Sequence, residues 1–256
     1  MEVAISKTIA VRNIFILLGI ERKKATRILQ GGGSLDTSFT IDAEDFLQQA
    51  EDDYEMGGNS ALLNVVSNAK RAIHAQIDGV LSALGYKIKN RNTEQKLALF
   101  GELGFVAPRI LKRVNNARNV LEHEYTVPTM EQVQEAIDLA TLFVNATRRH
   151  TVSWEHEMLI GNRDQQIEDS MFSRVLSLSF EHDDKLLHLA GEIDALPFSE
   201  KMDRIEEGTY TGCTVGSVIL SAQDILFKYF IRLIIANDRQ RKAQEALDRI
   251  FDHLNL

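Results

Sequence analysis

Hydrophobic residues recur every three to four positions through most of the first 150 residues, which is the spacing of one face of an α-helix. One such run contains Ala43, Phe46, Leu47, Ala50 and Tyr54. A second run continues for about six helical turns, from residue 62 to residue 84. Glycines follow both runs, at residues 57–58 and 85, where they are expected to end the helices. The pattern predicts antiparallel helices with short connections, that is, a helical bundle.

The pattern changes after residue 150. Leu176, Leu178 and Phe180 alternate with serines, as in a β-strand that has one buried face. The polar sequence EHDD that follows can turn the chain into a second strand near Leu187 and Leu189. Residues 209–220 are a third strand candidate, and a densely apolar helix and a final amphipathic helix are predicted after it.

These patterns predict an N-terminal all-α helical bundle followed by a smaller α+β domain. Residues 1–35 are interpreted as a helical arm that ends in a glycine linker at residues 31–33. Residues 36–150 form the predicted bundle. Residues 151–256 form the predicted α+β domain, which has no recognisable kinship.

Bulk composition narrows the class of protein. With 256 residues, of which 44% are hydrophobic and 26% charged, the chain is ordinary for a globular protein and too apolar for intrinsic disorder. The single cysteine, Cys213, excludes an internal disulfide and suits a reducing compartment, so we expect a cytoplasmic location. The apolar run at residues 9–20 is shorter than the roughly 20 residues that span a bilayer, so no membrane partner is expected. The histidine spacings match no helical zinc pair, and neither a metal nor another cofactor is expected.

The net charge bears on the choice of partner. A formal charge of −8 at pH 7 argues against a general nucleic-acid coat protein, which needs a basic surface. The charge is unevenly spread, because the first 35 residues are net basic and the remainder is net acidic. A local cluster of cations at Lys112, Arg113 and Arg118 is still compatible with binding of RNA or a nucleotide.

The segment from residue 118 to residue 125, RNVLEHEY, concentrates the chemically useful side chains. At about 100° per residue, one polar stripe of the predicted helix contains Lys112, Asn116, Asn119 and His123. Arg118 and Tyr125 lie on a neighbouring stripe, and both stripes are separate from the apolar face. Arg118 and His123 are about 140° apart on a straight helix. They can converge if the helix ends near His123, or if two protomers meet about a two-fold axis.

This segment resembles the signature of the HEPN family, the higher eukaryotes and prokaryotes nucleotide-binding domain. Members carry an arginine, usually followed by a polar residue, and a histidine after a short spacer. Arg118, Asn119 and His123 match this pattern with four residues between the arginine and the histidine. Tyr125 matches the histidine-x-tyrosine pattern of the family's toxin branch. Residues 43–73 are similar to the first two helices of such domains, so the resemblance covers about residues 40–150.

The resemblance implies a metal-independent endoribonuclease of the toxin or phage-defence type, which acts as a homodimer through the motif helix. His123 would transfer protons, because imidazole has an ordinary pKa of about 6.5. Arg118 would bind the phosphate through its planar guanidinium, and Asn119 would orient the imidazole. Lys112, Asn116 and Tyr125 are candidates to bind substrate. Tyr125 is also a candidate for modification by a nucleotidyltransferase antitoxin partner.

Two simpler interpretations stand beside this one. Arg118 and Glu122 are spaced as a surface ion pair, and His123 between two glutamates fits an exposed histidine in an acidic patch. At the level of the domain, the alternative is a non-catalytic HEPN-like module that binds nucleotide, RNA or a protein partner and uses the same face for assembly.

Overall fold

The computed structural model describes residues 2–37, 39, 41–105, 127–168, 171–193, 212–236 and 240–256. The chain divides into two compact units. The first, which we call the sheet unit, contains Met1–Gly33 and Trp154–Leu256. The second, the helical unit, is Ser34–Ser153. The helical unit is therefore inserted between two segments of the sheet unit.

Within the described residues, five strands of the sheet unit form one antiparallel sheet in the order β1-β2-β5-β6-β7. Their bounds are Ala25–Gly33 (β1), Trp154–Asn162 (β2), Arg174–Glu181 (β5), Leu186–Ile193 (β6) and Cys213–Leu220 (β7). A short hairpin of Gln166–Glu168 (β3) and Met171–Phe172 (β4) follows a 3₁₀ turn after β2. Strands β1 and β2 lie directly before and after the helical unit in sequence. They pair with each other, from Ala25 opposite Asn162 to Gly33 opposite Trp154.

Helices cover one face of this sheet. They are Glu2–Leu18 (α1), Ile225–Ile235 (α6) and Gln240–Leu254 (α7). Helix α1 packs on β5, β6 and β7, α6 contacts β2, and α7 contacts β1. Phe15 of α1 meets Phe251 of α7 edge to face, with ring centroids 5.4 Å apart. Gly191 in β6 leaves room for this packing, since a Cβ there would lie 2.6 Å from Ile14.

The β3–β4 hairpin covers part of the opposite face of the sheet. Phe172 is completely buried and packs with Leu159, Val175 and Ile28. Gly161 in β2 makes this contact feasible, because a Cβ at that position would lie 2.5 Å from the Phe172 ring.

Two polar contacts hold α1 in place. Asn162, which is buried, donates from Nδ2 to the Gly19 carbonyl (2.8 Å) and accepts at Oδ1 from the Glu21 amide (2.9 Å). Lys7 forms a 2.9 Å ion pair with Asp224, which precedes α6. Burial by itself raises the pKa of Asp224, but hydrogen bonds from Lys7 and Ser221 outweigh it, so the net pKa lies below its usual value.

The helical unit contains four described helices, Ala43–Met56 (α2), Asn59–Ala83 (α3), Thr93–Leu103 (α4) and Met130–Val152 (α5). Helix α3 contacts the other three. Capping boxes begin α2 at Asp42, α4 at Asn92 and α5 at Thr129, where side chains satisfy the free amides of the first turn. The sequence-based prediction of a helix end at Gly57 is confirmed.

The predicted order of a whole all-α bundle followed by a smaller α+β domain is wrong. Helix α1 and strand β1, from the first 33 residues, belong to the same unit as residues 154–256. The sheet unit thus begins and ends the chain, and its fold is α+β. The physical reason is that β1 pairs with a strand more than a hundred residues later, and local hydrophobic periodicity carries no information on such pairing.

The predicted glycine linker at residues 31–33 is also wrong. These glycines are the last three residues of β1, and Gly32 and Gly33 pair with Glu155 and Trp154. In contrast, the strand predictions around Leu178 and Leu189 are confirmed as β5 and β6, joined by a turn within residues 181–185. No helix in the described ranges combines the length and the apolar character needed to cross a bilayer.

Replacing Asn162 with alanine is expected to lower the free energy of unfolding by about 2–3 kcal/mol. The change removes two hydrogen bonds and leaves the Gly19 carbonyl and the Glu21 amide without them. Urea denaturation followed by circular dichroism measures the difference. The matched control is Asn90→Ala at an exposed turn, where a change within about 0.5 kcal/mol is expected. Equal effects of the two substitutions would contradict this role for Asn162.

Candidate functional site

The residues of the predicted RNA-cleaving site lie outside the described part of the chain. Lys112, Asn116, Arg118, Asn119, His123 and Tyr125 all belong to residues 106–126. Their convergence on a shared cleft and the dimer through the motif helix therefore stay predictions. The structure does define the two helices that flank this segment, α4 and α5.

The N-terminal flank is anchored in the core of the helical unit. Gly104 ends α4 in the left-handed conformation, with φ of 95°. Phe105 then stacks on Phe100 with ring centroids 4.8 Å apart, and Phe100 stacks on Phe143 of α5 at 5.7 Å. His150, near the end of α5, meets the edge of Phe105 at 6.1 Å.

The C-terminal flank is equally well fixed. Helix α5 begins at the Thr129 cap, where the Thr129 and Gln132 side chains and backbone amides bond reciprocally. Its buried face, which includes Val133, Ala140 and Phe143, packs against α3. Both ends of the motif-bearing segment are thus attached to one compact helical unit.

The exposed face of α5 is acidic near its start. A groove of about 420 Å³ runs along it and is lined by Glu131, Gln134, Glu135, Asp138, Leu139 and Leu142. Three carboxylates on one exposed helix face repel a phosphate backbone. This face follows residues 106–126 directly in sequence, and it would disfavour any RNA that approached it.

A second cavity of about 330 Å³ lies elsewhere in the helical unit, between residues 34–37, 39 and 42–44, α3 and the end of α5. The Leu35 amide donates to the Thr151 carbonyl at 2.7 Å and fixes one wall. Gly79 of α3 allows the close approach of Thr37, whose carbonyl oxygen lies 2.6 Å from where a Cβ would be. The sequence patterns did not predict this cavity. Gly79, a glycine inside a long helix, is the local feature that indicates a close approach of another segment.

The charges around this cavity do not favour a phosphate. Arg148 of α5 contributes a guanidinium, but it is engaged in an ion pair with Glu44 of α2. Asp36 and Asp42 add two further carboxylates to the lining, so the formal charge of the walls is negative. The cavity is thus suited to neutral or cationic groups, and it gives no support to RNA binding at this place.

Comparison with known proteins leaves the function open. The chain matches no protein-family model, no curated protein and no solved structure. The HEPN resemblance therefore rests on the residues of the motif and on the helical pattern around it.

The acidic face of α5 yields a test of whether RNA, the expected substrate, approaches this face. Neutralising it in Glu135→Gln/Asp138→Asn is expected to tighten RNA binding, because a carboxylate about 10 Å from a phosphate costs about 0.4 kcal/mol in water. Two such changes give about a fourfold lower Kd in dilute salt, measured by fluorescence anisotropy with a labelled single-stranded RNA. The control Glu51→Gln/Glu55→Gln removes the same charge from exposed positions of α2. Identical Kd values for the two double variants would place the RNA away from α5.

Proposed function

We propose that this protein is a HEPN-like, metal-independent endoribonuclease of the toxin or phage-defence type. The observation that supports this most is the combination of Arg118, Asn119 and His123 at the family's spacing. The segment that carries them is bounded by two helices, α4 and α5, of a single helical unit. A helical setting for the motif is what the resemblance leads us to expect.

The proposed reaction is an internal transesterification. The ribose 2′-oxygen attacks the adjacent phosphorus, and the bond from phosphorus to the 5′-oxygen breaks. The 2′-hydroxyl proton goes to a base, and an acid supplies a proton to the leaving 5′-oxygen. The products are a 2′,3′-cyclic phosphate and a 5′-hydroxyl, and no metal ion takes part.

The side chains of the motif provide the groups that this reaction needs. The His123 imidazole takes part in the proton transfers. Arg118 binds the phosphate oxygens as negative charge builds on them. Asn119 holds the imidazole in one orientation. Lys112, Asn116 and Tyr125 bind the flanking RNA.

A second candidate function, a non-catalytic HEPN-like module, is favoured by the charges of the molecule. The formal net charge is −8, and the described face of α5 that follows the motif is acidic. Such a surface suits a basic protein partner better than RNA. In this case Tyr125 would be the residue that a nucleotidyltransferase partner modifies, and intact mass of protein purified with and without that partner would reveal the added nucleotide.

Purified protein is expected to cleave mixed RNA in excess EDTA and to leave 2′,3′-cyclic phosphate ends. His123→Ala and Arg118→Ala should each lower the cleavage rate by at least about a hundredfold, because they remove proton transfer and phosphate binding. Gel electrophoresis of end-labelled RNA measures the rate.

Matched substitutions control for general damage. His188→Ala and Arg91→Ala change exposed residues outside the motif and should leave the rate unchanged. A folded parent protein that leaves RNA intact, with Tyr125 unmodified by mass, would refute the nuclease and favour the non-catalytic module. Cleavage that survives in His123→Ala would refute the assigned catalytic residue.

Mixing the two inactive variants tests whether the site is shared between protomers. If Arg118 of one protomer works with His123 of its partner, a mixed dimer of Arg118→Ala and His123→Ala keeps one intact site. Random exchange then restores activity at about a quarter of all sites. Recovery after co-refolding, relative to each variant alone, measures this. No recovery despite proven subunit exchange would mean that both residues act within one protomer.

A further inference from the structure

Two histidines of the sheet unit face each other across neighbouring strands. His156 lies in β2, and His182 directly follows β5. The Nε2 atom of His182 is within hydrogen-bonding distance of the Nδ1 atom of His156. The ring centroids are 4.2 Å apart, and the rings are inclined by 70°. Both side chains are partly exposed, so solvent and ions can reach them.

The sheet itself creates this juxtaposition. Strands β2 and β5 are antiparallel, with Glu157 opposite Ser179 and Met158 opposite Leu178. Continuing that register places His156 opposite Phe180 and makes His182 its diagonal neighbour, within reach of a long side chain. Gly33 of β1 completes the arrangement, because a Cβ there would lie 1.9 Å from the His156 Nε2 atom. The glycine that ends β1 thus provides the space for this imidazole.

The sequence around the pair is strongly acidic. Glu155 and Glu157 flank His156, and Glu181, Asp183 and Asp184 flank His182. Neighbours on a strand point to the opposite face, so the two glutamates beside His156 add negative potential without reaching the ring nitrogens. No group of three or more metal-binding side chains exists among the described residues. The protein would therefore supply two nitrogen ligands to a cation, and water or an external ligand would fill the other positions.

We propose that His156 Nδ1 and His182 Nε2 bind one divalent transition-metal ion of the class that prefers imidazole, namely Zn²⁺, Ni²⁺ or Cu²⁺. Two nitrogens on a tetrahedral ion, each about 2.0–2.1 Å from it, are about 3.3 Å apart, so a small rotation of the side chains admits the ion. When the ion binds, the proton shared between the two imidazoles moves to a ring nitrogen that does not face the ion. A neutral pair of imidazoles therefore releases no proton. Hard cations such as Mg²⁺ prefer oxygen ligands and bind poorly here.

This site does not depend on the proposed nuclease. Its two ligands lie in the sheet unit, whereas the motif lies in the helical unit. EDTA, which the proposed RNA cleavage survives, would remove the ion. Failure of either proposal thus leaves the other untouched.

The only tryptophan of the chain, Trp154, provides a direct reporter. Its ring lies 5.5 Å from Phe180, whose ring lies 5.2 Å from His182. Titration of full-length protein with Cu²⁺ is expected to quench the tryptophan fluorescence in a saturable way with one equivalent. Zn²⁺ is expected to raise the Tm, because an ion that binds only the folded state stabilises it. Millimolar Mg²⁺ should do neither.

The variants His156→Phe and His182→Phe should each weaken Cu²⁺ binding at least tenfold and abolish the Tm shift with Zn²⁺. Removing a direct metal ligand costs more affinity than removing a residue that only orients a ligand. His188→Phe, at an exposed position of β6, is the matched control and should bind like the parent. Circular dichroism in EDTA establishes that each variant is folded. Absence of saturable quenching in the parent, unchanged affinity in both folded variants, or equal binding of Mg²⁺ would each overturn the proposal.

Discussion

The pairing of β1 with β2 is the constraint on which the rest of the structure depends. These strands are neighbours in the sheet, yet the entire helical unit separates them in sequence. Their last pair, Gly33 with Trp154, brings the two points where the chain leaves and re-enters the sheet unit side by side. A compact unit with adjacent ends can be inserted there without disturbing the sheet. The entropic cost of closing so long a connection grows only slowly with its length, and the folded insertion reduces it further.

The features that could be predicted from the sequence are those fixed by near neighbours in the chain. The helix ends at Gly57 and Thr129 follow from backbone conformation and capping, and the β5–β6 hairpin follows from alternation around a polar turn. Strand β1 is different, because three of its nine residues are glycine and its partner is remote. Glycine is typical of linkers. The reason for Gly33 in this strand is visible only in the folded sheet, where it faces the Trp154 strand and where a Cβ would meet the His156 ring.

The same distinction applies to the candidate sites. The motif around Arg118 and His123 is local, so the sequence reveals it directly, and its chemistry stays a prediction of the sequence alone. The His156–His182 pair could not be predicted, since the residues are far apart in sequence and meet only through the register of β2 and β5. Spacing rules for metal ligands on a helix do not apply to pairs of residues on neighbouring strands. The cavity beside Gly79 is hidden for a similar reason, because it forms where a loop segment crosses a helix.

The acidic character of the chain limits how the proposed nuclease could recognise RNA. Charges more than about 8 Å from a phosphate are largely screened at physiological ionic strength. Attraction would then come from the few cations of the motif segment, chiefly Lys112 and Arg118. Few cationic contacts release few counterions, so binding would depend only weakly on salt. Selectivity would therefore come from the shape of the cleft and from the 2′-hydroxyl, rather than from general affinity for polyanions.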